Sequence, residues 1–193
     1  MNPIQLEAPF SEDKIRSLRV GDAVEITGVV YTGRDAVHKH LHEGGDLPPG
    51  IRLTEGMIYH CGPVVLTDGP SQWRVVAAGP TTSAREEPYQ ADIIRRFRLR
   101  GVIGKGGMGA RTLVACKETG CAYFHAVGGA AQVLAERIRK VRNVYFEREF
   151  GSPEAIWEIE IERFPVVVTM DAHGDSLHQR VLDSSKALLA KYL

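Results

Sequence analysis

An α/β fold with a mixed sheet is predicted by three features of the 193-residue sequence. Short apolar runs of strand length alternate with amphipathic stretches of helical spacing. Glycine and proline clusters separate them, and no internal repeat or linker divides the chain. Residues 1–193 are therefore read as one domain, long enough to bury a core.

The elements follow in order. Ser11 before Glu12 and Asp13 reads as an N-cap with acids in the first turn, opening a short helix to about Leu18. After the Gly21-Asp22 turn, Val24, Ile26 and Val30 share one face of a strand over Ala23–Val30. A helix is predicted from about Asp35 to His42, with Asp35 as N-cap, and Gly44–Gly50 is a loop. Met57–His60 and Pro63–Leu66 read as short strands, and Trp73–Ala78 as a buried one.

Tyr89, Ile93, Ile94 and Phe97 keep helical spacing, and Val102-Ile103 ends a strand. A helix over Ala110–Thr119 stops at Gly120, a natural C′ residue. Cys121–Val127 is read as a strand, Ala130–Arg139 as a helix and Val144–Phe146 as a strand. Ala155–Ile161 alternates like a half-buried strand, Val166–Asp171 looks like a central one, and Ser176–Leu193 is an amphipathic closing helix.

Lys+Arg and Asp+Glu both number 24, so charge makes no case for nucleic acid or a membrane surface. Met1–Phe10 has neither the basic nor the apolar region of a secretory signal, and no apolar run reaches membrane-spanning length. The three cysteines, Cys61, Cys116 and Cys121, form no even disulfide framework, which points to a reducing cytoplasm. They also lack the close spacing of an iron–sulfur ligand set. His38, His40 and His42 and the stretch Asp171–Asp175 invite a metal, but neither brings a complete ligand pattern. No metal is assigned to side chains of this chain.

Three cation-bearing turns carry the chemistry. Gly79–Arg85 reads Gly-Pro-Thr-Thr-Ser-Ala-Arg at a strand exit. If a helical turn starts at the threonines, Thr81 and Arg85 stand on one face, and an arginine fork beside a hydroxyl suits a carboxylate. Arg34, after Gly33, sits where a strand feeds a helix, and Lys105 lies in the loop Gly104–Met108. Each segment also fits a plainer reading: an N-capping threonine, an Arg–Asp surface turn, a tight turn with an exposed lysine. Gly104, Gly106 and Gly109 match a dinucleotide pattern, but Gly120–Ala135 holds no acid for a ribose. Together the turns describe a small polycarboxylate site, with Thr81 its one reactive-looking hydroxyl.

The ordered motifs add a resemblance. Leu18–Asp22, Tyr31-Thr-Gly-Arg-Asp-Ala-Val-His38, His60-Cys-Gly-Pro63, Gly79–Arg85, Gly104–Met108, Gly128–Ala131, Pro153–Trp157 and Phe164-Pro165 together resemble the C-terminal region of class I fumarases. In two-subunit members this region is the beta subunit, shared with L-tartrate dehydratase. The likeness runs from about residue 10 to about residue 178.

The resemblance implies a swivelling β/β/α fold and a hydro-lyase in the cytoplasm, reversibly hydrating fumarate to L-malate as in the tricarboxylic acid cycle. L-tartrate dehydration, or carboxylate binding without catalysis, is the alternative. It implies Thr81 as the base, Arg34, Arg85 and Lys105 as carboxylate clamps, and an alpha subunit in a hetero-oligomer (α2β2). It also implies a [4Fe-4S] cluster held by that partner rather than by this chain. The sequence departs from the family at Val37, at His173, and at Glu86-Glu87, where methionine and an acid are usual. Those two carboxylates either compete with substrate or face solvent.

Overall fold

A computed structural model describes residues 2–192. Met1 and Leu193, the ends of the predicted domain and closing helix, lie outside the described residues. The elements are β1 (Ile4–Glu7), α1 (Glu12–Arg16), β2 (Ala23–Thr32), α2 (Asp35–His42), β3 (Met57–Tyr59), β4 (Val64–Gly69) and β5 (Gln72–Ala77). A 3-10 turn (Ser83–Glu86) leads into α3 (Glu87–Phe97), then β6 (Gly101–Gly104), α4 (Ala110–Thr119), β7 (Ala122–His125) and α5 (Ala131–Ala135). β8 (Ile138–Tyr145), α6 (Glu147–Phe150), β9 (Ile156–Met170) and α7 (Leu177–Leu189) complete the order.

The mixed sheet runs β1-β2-β3-β6-β7-β9-β8, and a further β2–β9 pairing closes β2, β3, β6, β7 and β9 into a small barrel. Closure depends on the two long strands. The first half of β2 pairs with β1 and its end with β3. β9 lies antiparallel along β2, with β8 on its early half and β7 on its late half.

Side chains alternate between two cores, as the pleat requires. Met57, Tyr59, Ile103, Ala122 and Phe124 join one cluster with Ile26, Val30 and Phe164. The residues between them, Ile58, Val102 and Tyr123, pack instead with Val37, Leu41, Ile93, Ile94 and Cys116 of α2, α3 and α4. The short parallel strands are therefore apolar on both faces, which is why they read as continuous runs.

Four expectations need correction. Trp73–Ala78 is not a buried strand: β4 and β5 form a separate two-stranded hairpin, and β5 buries only part of its surface. The helix expected over Ala130–Arg139 stops at Ala135, because Ile138–Tyr145 pairs along β9 as an edge strand. The strands expected at Ala155–Ile161 and Val166–Asp171 are one, β9, which carries Pro165 opposite Glu25. Asp35 is not the N-cap of α2 but its first residue; Arg34 caps it with no side-chain bond. One strand, β1, has no counterpart in the sequence reading. α7 forms as expected, but Leu177, Val181 and Leu188 on it stay exposed. Among the described residues no helix is long and apolar enough to cross a membrane.

Candidate active site

Strands β2, β3, β6 and β7 are mutually parallel, so their C-terminal ends open at one end of the sheet. That is where α/β folds expose loops for ligands. Arg34 follows β2, His60 follows β3 and Lys105 follows β6. The Gly79–Arg85 segment is laid between them by backbone bonds. Thr81 N donates to the His60 carbonyl at 2.7 Å, Lys105 N to that of Thr81 at 3.4 Å, and Ser83 N to that of Lys105 at 3.0 Å.

Thr81 and Thr82 are thus extended, and the helical turn starts only at Ser83. The predicted contact forms all the same. Arg85 Nη2 donates to Thr81 Oγ1 at 3.0 Å. The same guanidinium grips Asp35 with both arms, Nε to Oδ1 at 3.1 Å and Nη2 to Oδ2 at 2.9 Å. Arg34 Nε pairs with Glu154 Oε1 at 3.1 Å, and Glu154 Oε2 accepts from Ala36 N at 3.0 Å. Gly62 makes room for Arg34: a β-carbon there would come within 2.7 Å of Arg34 Nη1. Lys105 Nζ donates to Thr82 Oγ1 at 3.0 Å, so it reaches the neighbour of Thr81 rather than Thr81.

A buried polar chain beneath these groups ties the loops together. His38 Nδ1 lies 2.8 Å from the Arg34 carbonyl oxygen, and its Nε2 lies 2.9 Å from Gln90 Oε1. His60 Nε2 meets the same oxygen at 2.8 Å and its Nδ1 meets Ser83 Oγ at 2.8 Å. Tyr123 donates its hydroxyl to Ser83 Oγ at 2.8 Å. Burial pushes both imidazoles down, His60 well below its ordinary value with His38 adding to the effect. Burial pushes the Tyr123 hydroxyl up to about 12. The chain is therefore uncharged near neutrality and acts as scaffolding. His38, His60 and Ser83 stand inside motifs legible in the sequence; Gln90 and Tyr123 give no signal there, because only the fold brings them to the others.

Both carboxylates of the Glu86-Glu87 pair turn to the protein, Glu86 fully buried and Glu87 half-buried. The Glu87 carboxylate accepts from Gly109 N at 2.7 Å, Arg111 N at 3.1 Å, Thr112 N at 3.3 Å and Thr112 Oγ1 at 2.7 Å. It caps α4 from another element, where the helix dipole favours a negative charge. Glu86 is fully buried, and neither of its oxygens has a hydrogen-bond partner among the described residues.

The residues that invited a metal are occupied otherwise. His38 is in the buried chain, His40 Nε2 meets the Asp46 carbonyl at 3.1 Å, and His42 pairs with Asp92 at 3.2 Å. Asp171 Oδ1 accepts from His173 N and Asp175 N, closing a turn. The chain's cysteines do not fit an iron–sulfur cluster. All three are buried, and burial holds the Cys61 thiol up to about 12, far from the thiolate a ligand needs. Cys61 belongs to one core, Cys116 and Cys121 to the other. A cavity of about 430 Å³ between β5 and β8, lined by Trp73, Val75, Ile138 and Val141, includes none of the site groups.

A family model described as "Fumarase C-terminus" matches residues 1–181. The chain belongs to the fumarase C-terminus family. Its relatives include a Geobacillus stearothermophilus protein named "Putative fumarate hydratase class I", 52% identical over 189 residues, which are 98% of this chain and 36% of that protein. The chain thus spans about a third of that relative's length. A Methanocaldococcus jannaschii protein named "Putative L(+)-tartrate dehydratase subunit beta" is 40% identical over 177 residues, 89% of each chain. The L(+)-tartrate dehydratase subunit beta of Escherichia coli K12 is 34% identical over 178 residues, 89% of this chain and 85% of that one. The enzymes named in this fumarase C-terminus group are hydro-lyases, and the beta-subunit names imply an alpha-subunit partner for those relatives.

Proposed function

We propose that this chain is the beta-type part of a two-part hydro-lyase that reversibly hydrates fumarate to L-malate. The observation that supports the reading is the Arg85 guanidinium, which touches the Thr81 hydroxyl on one side and the Asp35 carboxylate on the other. Arg34, Arg85 and Lys105 bind and orient the two carboxylates of the substrate. A substrate carboxylate takes the place that Asp35 holds on Arg85, using the same planar fork.

In the dehydrating direction Thr81 Oγ1 takes the proton from carbon. A threonine hydroxyl is a poor base in water, so the reaction requires its alkoxide to be stabilised. The Arg85 Nη2 donor at 3.0 Å is aimed at that oxygen and supplies this. The leaving hydroxyl is handled by the alpha-type partner, with an acid and a [4Fe-4S] cluster whose iron would act as a Lewis acid there. The thiols of this chain do not fit that cluster, so no step here runs through it.

Dehydration of L-tartrate is the second reading. It is favoured by length: the two beta-subunit relatives align over 89% and 85% of their own chains. The test is anaerobic reconstitution of this chain with a cluster-loaded alpha-type chain, following fumarate absorbance, with each chain alone as control. Activity of the mixture alone supports the fumarase reading. An assembled mixture active only on tartrate moves the assignment to the second reading. No assembly leaves a carboxylate-binding module.

A further inference from the structure

Behind the clamp lies a carboxyl group that the proposed reaction does not use. Glu86 follows Arg85 directly, yet its side chain turns inward from the 3-10 turn and is 0% exposed. Both oxygens are buried without a hydrogen-bond donor among the described residues. His38 Nδ1 lies 3.8 Å away, beyond hydrogen-bond reach, and stands 2.8 Å from the Arg34 carbonyl oxygen. A carboxylate cut off from water and from donors is strongly disfavoured.

The charged groups facing Glu86 pull in both directions. Asp35 at the start of α2 and Glu154 of the 152–154 turn oppose its ionisation; Arg85 and Arg34 favour it. His38 from α2, and His60 through Gln90, are held neutral by burial and add no charge near neutrality. Burial first, then Asp35, raises the carboxyl to about 7.

Each arginine already holds one internal carboxylate, Arg34 on Glu154 at 3.1 Å and Arg85 on Asp35 at 2.9 Å. Lys105, whose ammonium donates to Thr82 Oγ1, has no carboxylate partner among the described residues. A third internal carboxylate beside the arginines would cancel the positive charge on which an incoming dianion depends.

We propose that Glu86 is a protonation-controlled gate on the arginine clamp: uncharged, it lets Arg34 and Arg85 exchange Glu154 and Asp35 for a small dicarboxylate; ionised, it opposes that exchange. The inference rests on the dicarboxylate reading above. Glu86 is a positioning residue and touches no substrate. Where the free chain holds Glu86 ionised, binding draws one proton from solvent onto it. Affinity then falls by up to about tenfold per pH unit as Glu86 loses its proton.

Succinate, which carries two carboxylates and nothing to hydrate, is the probe. Its affinity for the full chain is measured by calorimetry from about pH 6 to about pH 8.5, in wild type and in Glu86→Gln. Wild type is expected to weaken with rising pH, while Glu86→Gln binds at all pH values about as tightly as wild type does at the acid end. The same slope in both proteins overturns the gate and leaves the dicarboxylate reading standing. No succinate binding by either at any pH overturns the dicarboxylate reading and the gate with it. Carbon-13 NMR of the Glu86 carboxyl in the ligand-free wild type decides the gate even if the variant does not fold. Titration near neutrality supports it, and titration in the ordinary carboxylate range overturns it.

Discussion

Ser83 Oγ and Gly104 stand so close that a β-carbon on residue 104 would overlap the hydroxyl. That hydroxyl is fixed from both sides, by His60 Nδ1 at 2.8 Å and the Tyr123 hydroxyl at 2.8 Å. It cannot swing away without leaving two buried polar groups unpaired. The chain therefore needs glycine where β6 passes into the Lys105 loop, for space and not for backbone freedom.

Gly104→Ala is expected to destabilise the fold by about 1–3 kcal/mol, the range of an overpacked core. Ser83→Ala removes the overlapping atom but strands its two partners, costing about 1–3 kcal/mol alone. The double variant should therefore lose clearly less than the sum of the two. Urea unfolding of all four proteins measures this coupling. Additive losses would mean that the two residues do not press on each other.

Glu87→Gln tests whether one carboxylate holds the Lys105 loop. Glu87 reaches from α3 to three backbone N–H groups and a hydroxyl at the start of α4, where Gly109 supplies no side-chain cap of its own. Loss of the charge should cost about 1–2 kcal/mol, as for a lost N-cap at a helix start. Amide exchange at Gly109, Arg111 and Thr112 should accelerate in the variant while β7 stays protected. Unchanged exchange there would show that the carboxylate does not carry the cap.

Much of this site was legible in the sequence, though not by the geometry assumed. Thr81 and Arg85 were paired on the premise of a helical face; they meet because an extended Thr81 and a 3-10 turn reach the same point. Arg34 and Lys105 were placed by their position after apolar runs, and those runs are parallel strands with a common open end. What periodicity could not supply is partnership across distance. Residues 138–139, read as the end of a helix, belong to a strand because β9 offers them an open edge, and no local pattern reports that. Likewise Gln90 reads as one polar residue on a helix until the fold sets two imidazoles against its amide.

The roles proposed for Arg85 and Thr81 separate kinetically. Arg85→Lys loses the two-armed grip that Asp35 now occupies, so KM for the dicarboxylate should rise about 10- to 100-fold in the reconstituted enzyme. Thr81→Val keeps the volume and removes the hydroxyl. It should leave KM near normal and lower kcat by about 100-fold or more. Near-normal turnover of Thr81→Val would remove the threonine from the chemistry and leave only the clamp.

Glu86 also leaves a mark on stability that needs no ligand. Its folded value of about 7 lies above the ordinary 4.5, so the unfolded chain gives up this proton first as pH rises. The stability it contributes is fully present below about 4.5 and is lost as pH climbs through about 7, by about 3 kcal/mol at most. The histidines whose values burial lowers act oppositely. His38, His60, His125 and His178 are all pushed down, chiefly by burial, so their contribution is present above the ordinary imidazole value of 6.5 and is lost as pH falls. The wild-type curve mixes the two slopes, and Glu86→Gln removes only one. Thermal or urea unfolding at matched pH values should therefore show the variant gaining on wild type between about pH 4.5 and about pH 7.5, with no change on either side. A difference that stays flat across that window would mean that Glu86 keeps an ordinary, solvated carboxylate in the folded chain, and the burial that sets it apart from Glu87 would have no energetic consequence.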